Sequence, residues 1–494
     1  MTSKQFLEPL DRIAIALMLV LSLLIGILVW SGDRTLPRVR NFGWQDKQVG
    51  AEDNSFILTF SRPMEQASVE ANLQIEPLLP GKISWAGRRM AYTLLQPVPY
   101  GIKYKVQLSG ATDRVTNVGG KQNGKLIEQF IGKFSSRDRA FAYVGVEKAE
   151  QGRLILYNLT QQEKSILTPP NLVVTDFKPY PASDRIVFSA IPKSNQRKGL
   201  VEQQLYTVTT GINYQSPEPP ETESNRSGKV ELILDNKNYQ NVKFDLSPDG
   251  QTIVVQRVSR RNSEEFGLWV VQPNAEPKPL GNQPGGDFVI APDSTTVAIA
   301  QGLGVAILPL KPQANPLDFL PKFGMVLSFA KDGTAATMVK FNPDYTRSLF
   351  LVTNQGVQKE LLRTNGSIID AKFDPASTTL FCLLTQLLKG EQDRELPYLV
   401  AIDLKTAKLT PLLELPEQRD IQMSMSPDGL ALLFDRVVTT TVPPKGESLT
   451  TSDGQAIASS SLWILPLTPD TPESTAGLQL EQLPIPGFHP RWLP

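Results

Sequence analysis

The chain has 494 residues, with 50 Lys and Arg against 50 Asp and Glu, one His and one Cys. Zero net charge argues against a nucleic-acid-binding protein, which presents a basic face. The single Cys382 excludes an intrachain disulfide, and the single His489 excludes a multi-histidine metal centre.

Residues 1–12 read as a short tail. Residues 13–30, IAIALMLVLSLLIGILVW, contain no charge and would form about 27 Å of helix, against a hydrocarbon core of about 30 Å. Their Leu, Ile and Val residues sum to about −4 to −7 kcal/mol on an insertion scale. A cleaved signal peptide has a shorter apolar region and a small-x-small end, which Val29-Trp30-Ser31-Gly32 does not match. The sequence therefore predicts one uncleaved transmembrane helix over 13–30 and a linker over 31–40. Lys4 and Arg12 on one side nearly balance Arg34, Arg38 and Arg40 on the other, so the charge rule does not orient it.

From residue 41 to 136 the pattern alternates with period two. FILTFS (56–61), KISWAG (82–87), MAYTLL (90–95), YKVQLSG (104–110) and EQFIGKF (128–134) read as short strands between turn-rich stretches. Short strands without a long helix predict a β-sandwich. FSRPMEQASV (60–69) and YGIKYKVQLSGATDRVTNVGG (100–120) resemble the opening and closing stretches of bacterial Ig-like modules of surface-layer proteins. VTNVGG departs from that family's compact Gly-Asn turn. The resemblance implies an extracytoplasmic spacer without catalysis.

Residues 140–494 carry a repeat. Two S-P-D-G turns occur at 247–250 and 426–429, with degenerate versions at 291–294, 330–333 and 374–377 and looser ones at 178–184 and 488–490. Two residues before the second slot of each turn stand Phe177, Leu246, Ile290, Phe329, Phe373, Met425 and Phe488, all apolar. The commonest spacing is about 40 to 50 residues, that of propeller blades, and three further strand-like runs follow each full turn. The chain's last residues supply a first strand, whereas AFAYVGV (140–146), LILYNL (154–159) and SIL (165–167) supply three strands lacking one. The expected fold class is thus all-β: a transmembrane helix, an Ig-like β-sandwich, then a seven-bladed β-propeller closed by its C-terminal strand. The turn and strand pattern resembles TolB-like (WD-repeat-like) propeller repeats, also present in prolyl oligopeptidase relatives.

Little points to bond-making chemistry. Asp249 and Asp428 suit a turn role, because Asp bonds to nearby backbone N–H groups. No G-x-S-x-G elbow, calcium loop or dinucleotide motif occurs. Cys382, within LFCLL, reads as a buried small hydrophobe. No catalytic residue, metal ligand or cofactor is expected. Long connections at 192–202, 258–267, 386–397 and 438–461 should share one face, with a Pro/Glu/Ser-rich insertion at 211–229 on the other. The shared face carries Lys193, Arg197, Lys198, Arg257, Arg260 and Arg261, a cluster able to steer an anionic partner, though Glu264 and Glu265 offset it.

The expected function is a membrane-anchored, non-enzymatic scaffold: its N-terminus cytoplasmic, its bulk periplasmic, its propeller binding an envelope protein or polymer. The alternative is a funnel enzyme acting on envelope polymers as a glycosidase, lyase or peptidase, which requires two facing carboxylates in a deep pocket.

Overall fold

The computed structural model describes residues 9–31, 35–114, 124–214, 226–281, 285–388, 394–415, 420–440, 449–451, 454–467 and 479–494. The 1–8 part of the tail, VTNVGG (115–120), and parts of the loops at 211–229, 386–397 and 438–461 lie outside the described residues. The chain divides into two compact units, the first comprising residues 1–46, 55–93 and 104–133, the second 47–54, 94–103 and 134–494.

In the first unit, helix Pro9–Ser31 contains the apolar run. Among the described residues no helix is long and apolar enough to cross a membrane. That corrects the expected transmembrane helix, and with it the membrane as a partner and the single-pass placement with a periplasmic bulk. The strand Ser55–Phe60 follows its period-two pattern, with Phe56, Leu58 and Phe60 buried and Ile57 exposed. It pairs with Val39–Phe42 on one side and Arg89–Leu94 on the other. Leu73–Glu76 pairs antiparallel with residues 105–108, and the seven-residue helix Gln66–Asn72 buries Val69.

The second unit contains seven four-stranded antiparallel sheets, a propeller-like, all-β arrangement. Six are built from consecutive strands. Their first strands are Leu172–Pro179, Tyr239–Leu246, Phe288–Ile290, Met325–Phe329, Ile368–Phe373 and Met423–Met425. The remaining sheet joins Ala140–Gly145, Leu154–Asn158 and Glu163–Ile166 to Gly487–Trp492. The seven sheets stay separate and open, which corrects the closed seven-bladed propeller of the sequence reading, while the C-terminal strand does complete the sheet begun at residue 140. Apolar side chains fill the spaces between neighbouring sheets. Phe381, Leu383, Leu432 and Phe434 pack in one such cluster, and Phe141, Tyr143, Leu433 and Trp492 in another. Cys382 is fully buried beside Leu380 and Leu384, and burial pushes its thiol pKa up, so it behaves as a small hydrophobe.

The S-P-D-G turns end first strands in a common way. The Gly250 and Gly429 N–H groups donate to the carbonyls of Ser247 and Ser426 at 2.8 and 2.9 Å. Both glycines sit at positive φ, 71° and 75°, which a side chain would strain. Asp249 accepts from Ser247 Oγ and the Gln251 N–H, and Asp428 from Ser426 Oγ and the Leu430 N–H. The carboxylates are turn-makers. Asp428 also accepts the Tyr100 N–H at 3.0 Å and pairs with Arg139, tying residues 94–103 to this turn.

Candidate functional site

Five of the first strands of the sheets carry a register irregularity partway along: near Thr175, Val242, Leu327 and Ile369, and between Phe488 and Arg491. Bulges bend a strand and re-aim its side chains. Directly after four of them come Asp176, Lys243, Ser328 and Asp370, and Arg491 resumes the ladder after the fifth. In a strand, residues i and i+2 share a face. Asp176 with Lys178, Lys243 with Asp245, and Asp370 with Lys372 therefore point together, while Phe177, Phe244 and Ala371 between them are buried. These charged pairs line a cavity of about 480 Å³ with Lys331, Arg491 and an apolar wall that includes Phe288, Val289, Phe329 and Met423. That volume suits a small ligand.

The charges in the cavity are paired, except Lys331, which has no ion-pair partner among the described residues. Lys178 bonds Asp245 and Lys243 bonds Asp287. Arg491 Nη2 lies 2.8 Å from Asp176, and Lys372 3.0 Å from Asp370. Behind the wall lies Asp435, 1% exposed, which accepts the N–H groups of Gln422 and His489, each at 2.7 Å. Desolvation raises its pKa to about 6, against the opposing pull of His489. His489 has φ 51°, and its ring Nε2 lies 3.9 Å from Asp420. Among the described residues, no cluster of three or more His, Cys, Asp or Glu side chains is arranged to hold a metal. A second cavity of about 310 Å³ lies beside Pro97, Asp374, Asp403 and Asp428, and the Asp428 carboxylate is already committed as described.

The basic residues singled out in the sequence do not form one free surface. Arg257 is 6% exposed and lies between the rings of Tyr239 and Trp269, 4.7 and 4.9 Å from their centroids, with Nε 3.1 Å from Asn241 Oδ1. Burial lowers its pKa. Arg260 donates to the carbonyls of Asn236 and Val201 and pairs with Glu202, linking two adjacent sheets. Lys198 and Arg261 are exposed, as are Glu264 and Glu265, and Lys193 is half-buried. The side chain of Arg197 lies outside the described ones. Arg257→Ala should cost about 2–3 kcal/mol, since it removes a buried charge-assisted bond and two cation–π contacts. Arg261→Ala should stay within about 0.5 kcal/mol. Urea denaturation of both variants checks this, and equal midpoints would contradict it.

No family model matches the sequence, and no curated protein is similar to it. Similar solved structures include TolB from Acinetobacter baumannii, at 11% identity over 86% of this chain and 83% of that one, with a TM-score of 0.41. They also include an oligogalacturonate lyase from Vibrio parahaemolyticus, at 11% identity over 60% of this chain and 88% of that one, with a TM-score of 0.42. A third is a puromycin hydrolase S511A mutant, at 12% identity over 67% and 58% of the two chains, with a TM-score of 0.41. Likenesses this distant assign no activity. These neighbours do not bear on the Ig-like resemblance of residues 41–136.

Proposed function

We propose that the chain is a non-enzymatic binding module that takes a ligand into the cavity lined by the first strands of its sheets. The observation that carries this reading is the convergence of charged and apolar side chains from separate, hydrogen-bonded strands on one cavity of about 480 Å³. Strands hold such side chains more rigidly than loops, which reduces the ordering cost of binding.

Binding is favoured over catalysis by how the lining carboxylates are used. Asp176, Asp245 and Asp370 are each committed to a cation and to a backbone N–H. A general acid needs a raised pKa and an open path to substrate. Among the described residues the one carboxyl raised to about 6, Asp435, faces two backbone N–H groups behind the wall.

The test is thermal-shift screening of a metabolite library against the intact chain and against Val289→Trp, which fills the cavity from its wall. At least one compound should raise the melting temperature of the wild type and not of the variant, and should be recovered unchanged after incubation. A compound consumed in catalytic amounts would replace this reading with the enzymatic one, and equal shifts in both proteins would remove the cavity from it.

A further inference from the structure

We infer that the cavity selects an oxyanion, a small molecule bearing carboxylate or phosphate groups, over cationic and neutral compounds. The inference deepens the binding reading above and rests on it. It comes from the balance of charged side chains that line the cavity and the partners each already holds.

The side chains lining the cavity include five cations, Lys178, Lys243, Lys331, Lys372 and Arg491, against three carboxylates, which already hold partners. Both oxygens of Asp245 take backbone N–H groups, from Leu246 at 2.9 Å and Ile290 at 2.8 Å, and Lys178 as well. Asp176 accepts the Phe177 N–H at 2.8 Å and Arg491 at 2.8 Å. Asp370 accepts the Ala371 N–H at 2.8 Å and holds Lys372 at 3.0 Å. A cationic ligand would meet the excess of positive side chains in the lining.

The donors are in surplus. An ammonium carries three N–H donors and a guanidinium five. Lys178, Lys243 and Lys372 each meet one carboxylate, and Arg491 spends one amino group on Asp176. Lys331, which is exposed, has no ion-pair partner among the described residues. Side-chain exposures of 37% for Lys178, 38% for Lys243, 36% for Lys372 and 29% for Arg491 leave these heads in reach of solvent. Two of them are also held in place by rings: Lys243 stands 5.6 Å from the Phe288 centroid and Arg491 5.6 Å from that of Phe177. Fixed cations in excess of the carboxylates recognise an acceptor-rich anion, and Phe288, Phe329 and Met423 offer its carbon skeleton an apolar wall.

The experiment is calorimetric titration of the intact chain with citrate and with inorganic phosphate, against spermidine and glucose as cationic and neutral probes. One or both anions should bind saturably, more tightly than either control and more weakly as salt rises. The anion that binds identifies the carboxylate or phosphate arm. Lys331→Gln leaves no carboxylate unpaired and should weaken that anion about tenfold, and Lys331→Glu more. Lys372→Gln should weaken it also, with unchanged thermal melting showing that the fold is retained. Spermidine or glucose binding as tightly as the anions, no saturable anion binding, or anion binding indifferent to both Lys331 variants would overturn the inference. A neutral compound that Val289→Trp excludes would overturn it while leaving the cavity a ligand site, so the two readings fail separately.

Discussion

Removing residues 486–494 should abolish cooperative folding of the second unit. The deleted strand pairs Phe488 with Val144, Arg491 with Ala142 and Trp492 with Phe141, completing a sheet whose other strands come from residues 140–166. It buries Phe488, Trp492 and Leu493 to 5%, 6% and 2% exposure. At about 1.5–3 kcal/mol for each large apolar side chain, the lost burial alone is about 5–9 kcal/mol, within the range of an entire domain's stability, about 5–15 kcal/mol. Cross-links to other sheets go with it. Trp492 N–H bonds Ser424 Oγ, Arg491 pairs with Asp176, and Ser460 Oγ bonds the Gly487 carbonyl. The truncated chain should lose its sharp thermal transition and its near-ultraviolet circular dichroism. Adding a synthetic 484–494 peptide should restore part of both. A truncated protein melting within about 5 °C of the full chain would show that the strand carries less than about 2 kcal/mol.

The strand positions were legible because alternation and turn chemistry are local. FILTFS (56–61), AFAYVGV (140–146) and LILYNL (154–159) match the strands Ser55–Phe60, Ala140–Gly145 and Leu154–Asn158, each overrunning its strand by one residue at the C-terminal end. Elsewhere locality misled. Hydropathy along residues 13–30 predicted a membrane span that the described structure does not support. The loops expected around 386–397 and 438–461 are narrowed by long strands, Thr379–Leu388 with Arg394–Asp403 and Ala431–Thr440 with Ala456–Pro466. Arg257 illustrates why charge clusters misread. In sequence it stands with Arg260 and Arg261, but as part of Ile253–Ser259 it turns inward between two aromatic rings.

The cavity left a signal that went unread. Charges at i and i+2 around a buried residue, D-F-K at 176–178, K-F-D at 243–245 and D-A-K at 370–372, precede the turn slot in three repeats. Period two puts both charges of each triplet on the face away from the sheet interior. Which face becomes a cavity depends on sheets distant in sequence, and the bulges that aim Asp176, Lys243 and Asp370 have no signature in residue type. A repeat alignment that tracked charge alongside hydrophobicity finds these six side chains, and Lys331 as the residue standing in the turn slot that is Pro in the other repeats.

Stability should fall as pH rises from about 4 to about 6, and Asp435 should be the cause. Its carboxyl is 1% exposed, and desolvation outweighs the help it receives from His489 and from the N–H groups of Gln422 and His489, with Asp420 adding a further upward push. An unfolded Asp releases its proton near 3.9, whereas the folded chain holds this one to about 6. Between those values the native state binds a proton that the unfolded state has lost, so rising pH favours unfolding. The contribution is fully present below the unfolded value and is lost through the folded one. Two units correspond to about 3 kcal/mol. Asp435→Asn cannot titrate. Its amide still accepts one N–H and opposes the other, a cost independent of pH. Urea midpoints at intervals from pH 4 to 8 should therefore show the wild type declining relative to the variant. Histidine ordinarily titrates in the same window, and the chain has only His489. The comparison is repeated in His489→Asn, a residue that tolerates the positive φ at that position. The decline should persist in that background and vanish with Asp435→Asn. Parallel curves for wild type and Asp435→Asn would mean that the carboxyl is solvated or ionised throughout. The closing strand would then be held by its apolar contacts without a proton-dependent link.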